Sequence, residues 1–239
     1  MRKPFKLIFI LFISTLFYWN CKEDKVISET KFEQAVFYQI FPSIIDSIHF
    51  DKRLLPPPPP PPEFFEKEEY KNDIDKGILD YKQTDKYKND IKKWERKKDS
   101  LKRDKSSIFL VVSDSISRFE EDDLNKLAKH FKIQDSINIK LGLNYKIDLN
   151  KLKSNNQKIK FKYRSEFPNG REFWTTEYDY FISAKIGFSR IIFDQTKSYG
   201  VLNGGYAIGI LNGKGFRIYI KKNESGKWII DDIVKTWIS

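Results

Sequence analysis

The sequence predicts an α+β fold: N-terminal helices, one of them long and charged, followed by a C-terminal antiparallel β-meander of four or five strands. Three observations carry this expectation. Apolar residues recur at helical spacing from Val36 to Ile48. A charged segment with one sparse apolar face runs from Glu63 to Lys105. From Lys158 onward, apolar and polar residues alternate at period two.

The elements follow in chain order. Thr30-Lys31-Phe32-Glu33 has the spacing of a capping box that opens a helix. Val36, Phe37, Ile40, Phe41, Ile44, Ile45 and Ile48 then form a wide apolar stripe, which should be buried against another element. Pro42 either kinks this helix or starts a second one at its first turn. Pro56 to Pro62 is an unbroken proline run. It should stand as a polyproline II strut of roughly 20 Å, at about 3.1 Å per residue, and serve as a spacer.

Glu63 to Lys105 mixes acids and bases around a narrow face of Tyr70, Ile74, Ile78, Tyr81, Ile91, Trp94 and Leu101. It predicts one long solvated helix, or two broken near Gly77 or Thr84, with room for a protein partner along its apolar stripe. Ile108 to Val112 is a short apolar run of strand type. Ser117-Arg118-Phe119-Glu120 is a second capping box, opening a helix through Leu124, Leu127, Ala128 and Phe131.

Period-two or apolar runs follow at Ile159 to Tyr163, Phe173 to Phe181, Ile186 to Phe193, Tyr199 to Ile210, Phe216 to Ile220 and Trp228 to Ile238, and supply the four or five strands expected. Phe167 to Gly170, Asn212 to Gly215 and Asn223 to Gly226 supply the turns.

The chain begins with Arg2, Lys3 and Lys6, followed by an uncharged, mostly apolar run from Leu7 to Trp19. That run is shorter than the roughly 20 residues that span a bilayer, and Lys22, Glu23 and Asp24 stop it. A basic head before a short apolar core is the layout of a secretory signal. Cys21 follows at once and is the only cysteine, so no internal disulfide can form.

On these residues the chain resembles bacterial lipoproteins with a type II signal peptide, of the Bacteroidetes-like kind in which the residues before the cysteine vary. Here they are Tyr18, Trp19 and Asn20. The resemblance implies lipidation of Cys21 and attachment to a membrane through that lipid. Cys21-Lys22-Glu23-Asp24 also looks like the export tag that sends such lipoproteins to the outer membrane and its outer face. The expected organisation is a signal peptide over 1–20, a tether over 21–29, a helical region over 30–105 with the 56–62 strut, and an α+β domain over 106–239.

Few chemical sites stand out. The whole chain carries a formal charge of +11, part of which leaves with the signal, and acids are interspersed with the lysines. This reads as a solvated surface, and no nucleic-acid partner is expected. Glu120, Glu121, Asp122 and Asp123 suit the first turn of a helix better than a metal, since no calcium-loop spacing surrounds them.

With only His49 and His130, a three-histidine zinc site is excluded. Each histidine reads as structural or superficial. Gly213-Lys214 lacks the glycine and the hydroxyl residue of a phosphate loop, because Ile208 and Gly215 stand in those places. Asp231 and Asp232 adjoin on an alternating strand and should face opposite sides. Neither catalytic residues nor a cofactor are assigned.

The last 55 or so residues resemble a sheet module of uncharacterised bacterial proteins. The resemblance rests on Phe188 to Phe193, Gly204 to Ala207, Gly226 to Ile230 and Trp237 to Ser239. The Gly226-Lys227-Trp228-Ile229-Ile230 ending is also similar to cone-shaped sheets of the NTF2-like type. These resemblances imply a fold unit and no activity. The expected role is a membrane-anchored envelope protein that binds or scaffolds. The alternative is an envelope hydrolase or small-ligand binder with a site in the sheet built from Tyr178, Tyr180, Arg190 and Tyr206.

Overall fold

A computed structural model describes residues 27–119, 122–133 and 144–239. The expected signal, Cys21 and the expected export tag lie outside the described residues. The chain divides into two compact units: 49–106 forms one, while the segments before and after it form the other. The first helix of the 30–105 stretch thus falls in the same unit as the sheet.

That helix, α1, covers 27–48 without a break at Pro42. It is already helical at 27, so Thr30 is not its cap. Its apolar stripe is buried throughout, from Val36 to Ile48. Each such side chain contributes about 1.5–3 kcal/mol when withdrawn from water.

The second unit begins with a turn of 3₁₀ helix at Lys52–Leu54. The proline run follows in extended backbone, with Pro61 at φ −66° and ψ 152°, the polyproline II region. After a 3₁₀ segment at Pro62–Glu66 come α2 (Glu68–Lys71), α3 (Ile74–Gln83) and α4 (Asp85–Arg103). The charged stretch is thus three helices. Its breaks fall at Asp73 and Thr84, whose side chains cap α3 and α4.

Gly77 lies inside α3, where a Cβ would meet the Phe65 ring at 3.0 Å. Phe64 packs on Tyr70 at 5.2 Å and on Tyr81 at 5.1 Å. Arg53 binds both Asp51 and Asp104, joining the two ends of this unit.

In the other unit the strands are β1 (Ile108–Val112), β2 (Ile159–Tyr163), β3 (Phe181–Phe188), β4 (Ile192–Phe193), β5 (Tyr199–Gly209), β6 (Asn212–Lys222) and β7 (Trp228–Ile238). Their order is β2-β1-β3-β5-β6-β7, with β4 paired to β5. The fold is α+β as expected, but the sheet is mixed and has seven strands. It is not an antiparallel meander of four or five.

The difference arises at β1, which pairs in parallel with β2 on one side and β3 on the other. Parallel neighbours need long crossovers. The chain provides them between β1 and β2, where α5 (Asp123–Phe131) lies, and between β2 and β3, where α6 (Glu172–Thr175) takes up part of the aromatic stretch expected as strand. The Ser117 capping box does not open α5. Ser117 Oγ donates to the Phe188 carbonyl instead, and the helix starts at Asp123.

The β5–β6 turn also falls elsewhere than expected. It lies at Ile210 and Leu211, while Asn212 to Gly215 belong to β6. The β6–β7 turn is where expected, with Gly226 at φ +75°.

α1 covers one face of the sheet. Its Phe41 ring lies 5.3 Å from Phe161 of β2 and 5.9 Å from Phe188 of β3. Its Phe32 ring lies 5.1 Å from Phe193 and 6.4 Å from Trp228 at the start of β7. Among the described residues, the opposite face is covered in two places. At one, Val111 and Ile182 pack with Phe167 and Phe173. At the other, Leu127 of α5 packs on Val201 and Tyr219.

Candidate functional site

Between these two covered patches no described residue covers the second face of the sheet. It carries two adjoining clefts, of about 420 and 470 Å³. They share Asn203, Gly204 and Trp237 and so form one groove. This volume lies within the range of small-ligand sites.

One wall is the extension of β1. Ser113, Ser115 and Ser117 alternate with Asp114 and Ile116, which turn the other way. Asp114 bonds the Ser165 amide at 2.9 Å and Ile116 is buried. Alternation along extended chain therefore presents three serines to the groove. Bonds from Ser113 N to Ile186 O, at 2.9 Å, and from Ser117 N to Phe188 O, at 2.9 Å, hold this wall to β3.

The floor is glycine-rich. A Cβ on Gly205 would meet nothing within 4 Å, whereas one on Gly187 would lie 2.7 Å from Ser113 Oγ. At the far side Trp237 crosses the glycines of β6. A Cβ on Gly215 would sit 2.1 Å from its Nε1, and one on Gly213 3.1 Å from its Cζ3. These two glycines are not turn residues. They make room for an indole that stays half exposed.

The floor also holds a buried polar cluster. Asp123, 1% exposed, accepts from Arg217 Nε at 3.1 Å and from Asn203 Nδ2 at 2.6 Å. An ionised carboxylate only accepts, so the Asn203 amide nitrogen must face it. Among the described residues, the Asn203 Oδ1 is left buried without a hydrogen-bond partner. An unsatisfied buried acceptor of this kind costs about 1–3 kcal/mol. Asp123 thus does more than favour a helix dipole. Asp122 pairs with Lys126, and Glu120 and Glu121 lie outside the described residues.

The charge of the lining is one-sided. Arg118 and Lys185 line one cleft, and Lys126, Arg217 and Lys235 the other; among the described residues no carboxylate lines either. Nearby, burial and the charge of Lys235 hold Lys214 below the usual lysine range.

The four residues of the alternative sheet site do not converge. Tyr178 donates to the Phe173 carbonyl, and Tyr180 packs on Phe109 at 4.6 Å. Arg190 is buried against Glu33 of α1, on the covered face. Only Tyr206 borders the groove, and it is 2% exposed.

His130 stacks on Tyr219 at 3.8 Å and contacts Asp231 at 2.8 Å. Asp231 is the extra residue of a bulge, since Tyr219 pairs with Asp232 and Ile220 with Ile230. His49 falls in the other unit. Among the described residues no three or more His, Cys, Asp or Glu cluster as metal ligands, and no helix is long and apolar enough to cross a membrane.

No family model, curated protein or solved structure matches this chain.

The groove went unread in the sequence. Ser113-Asp114-Ser115-Ile116-Ser117 was its one local signal, a hydroxyl at every second position after an apolar strand. Arg118, Lys185, Asn203 and Trp237 meet only through the pairing of β3, β5, β6 and β7.

Proposed function

We propose that this chain is a lipid-anchored protein of the bacterial cell envelope, held to the outer membrane through Cys21, whose sheet unit is a binding module. The basic head, the short apolar run and the single cysteine before Lys22-Glu23-Asp24 support the anchor. One acyl chain binds a membrane only marginally, so stable attachment takes more than one. The observation that carries the binding role is the open groove, floored by glycine and lined by serines, an indole and cations.

Radioactive palmitate should label the wild type and spare Cys21→Ser; equal labelling sinks the anchor. For the groove, deuterium exchange of the full chain is compared with and without envelope extract. Exchange should slow at 185–189 and 203–207.

A second reading assigns partner binding to the helical unit. It rests on Ile74 and Leu79 of α3, each 61% exposed. Slowing confined to 74–83 selects that reading.

A further inference from the structure

We infer that the groove binds an anionic polysaccharide, a glycan bearing carboxylate or sulfate groups; this rests on the groove being the binding site. Three features select that chemistry. The first is charge. The lining carries Arg118, Lys126, Lys185, Arg217 and Lys235, and no carboxylate among the described residues lines either cleft. Among the described residues, Arg118 and Lys185 have no acidic partner, while Lys126 and Arg217 pair with Asp122 and Asp123. An anion entering here gains attraction without displacing an acid from Arg118 or Lys185.

The second feature is the orphaned acceptor. Asn203 lines both clefts, and its buried Oδ1 has no donor among the described residues. A ligand satisfies it only by donating. Sugar hydroxyls donate, and they also accept from Ser113 and Ser115. The sugar-phosphate backbone of a DNA strand offers acceptors alone, so the charged part of nucleic acid leaves this atom unmet.

The third is shape. The half-exposed Trp237 indole and the open floor at Gly205 leave a broad, flat-sided channel. Such a surface suits a sugar ring, whose apolar C–H face packs on an aromatic while its rim hydrogen-bonds to polar groups. The two clefts in series have room for more than one residue of a chain.

The test is titration calorimetry of the full chain in detergent, with polygalacturonate, dextran and a thymidine oligonucleotide as probes. Polygalacturonate should bind, with affinity falling as salt rises, and dextran should bind at least tenfold more weakly. Arg118→Gln and Lys185→Gln should each weaken polygalacturonate about tenfold, as expected for loss of one charge-assisted contact. Trp237→Ala should cost about as much, as a central aromatic contact does. Lys160→Gln removes a charge from the opposite edge of the sheet and should leave binding unchanged.

Equal binding of dextran overturns the inference, as does tighter binding of the oligonucleotide or an equal loss in Lys160→Gln. Absence of binding by all three probes overturns it too. In any of these cases, exchange slowed by envelope extract at 203–207 shows that the groove still binds something, which separates this failure from failure of the binding-module reading.

Discussion

The Trp237 indole occupies the space that a side chain at Gly215 would need: a Cβ there would lie 2.1 Å from Nε1 and 2.5 Å from Cδ1. The two residues are cross-strand partners on β6 and β7. Gly215→Ala must therefore push the indole off the strand. The expected cost is about 1–3 kcal/mol, as for other overpacking changes. Urea unfolding measures it, and polygalacturonate affinity should fall with it. A variant as stable as the wild type would show that the indole moves freely and forms no fixed wall.

Glu33 ties α1 to the sheet. Its carboxylate accepts from Arg190 Nε at 3.1 Å and from the Ile191 amide at 3.0 Å. The side chains of Glu33 and Arg190 are only 5% and 7% exposed. Removing one partner of such a pair leaves a buried charge without its counter-ion, at a cost of about 3–5 kcal/mol. Glu33→Ala should lower the stability of the sheet unit by that order in a urea titration followed by near-ultraviolet circular dichroism. Lys31→Ala, at an exposed position of the same helix, should change it by less than about 0.5 kcal/mol.

The α+β class and the burial of α1 were legible because a stripe of seven apolar residues at helical spacing admits few other readings. The parallel placement of β1 was not. Ile108-Phe109-Leu110-Val111-Val112 is uniformly apolar, and such a run fits a buried strand of either direction. The position of the β5–β6 turn was hidden for a different reason. Gly213 and Gly215 looked like turn residues, but they answer to Trp237, and the turn itself is built from apolar Ile210 and Leu211. Glu33 and Asp123 read locally as helix-start acids. Their partners Arg190 and Arg217 lie 157 and 94 positions away, beyond any local pattern.

Asp231 gives the stability of the sheet an acid limb. The hydrogen bond from Lys221 holds its carboxyl below the usual range; partial burial opposes this and His130 adds to it. A carboxylate with a depressed folded-state pKa stabilises the fold fully above its unfolded value, here 3.8. That contribution is lost as pH falls through the folded value below it. Asp231→Asn lacks the contribution at every pH. The gap between the urea midpoints of wild type and variant should therefore be constant at neutral pH and close as pH drops below about 4. A gap that persists unchanged into that range removes Asp231 as its source.

Thr84 starts α4 as well as ending α3. Its Oγ1 accepts from the Tyr87 amide at 3.2 Å, and its own amide donates to the Tyr81 carbonyl at 3.0 Å. α4 buries no residue fully, so packing does little to hold its first turn and the cap matters more. Thr84→Ala should cost about 1 kcal/mol, the usual loss for a helix cap. Because 49–106 is a compact unit of its own, the loss should stay there. Amide exchange should quicken about fivefold across 85–90, the conversion of that free energy at room temperature, and stay unchanged in β1 and β6. Quickening in β1 or β6 as well would mean that the helical unit opens only together with the sheet.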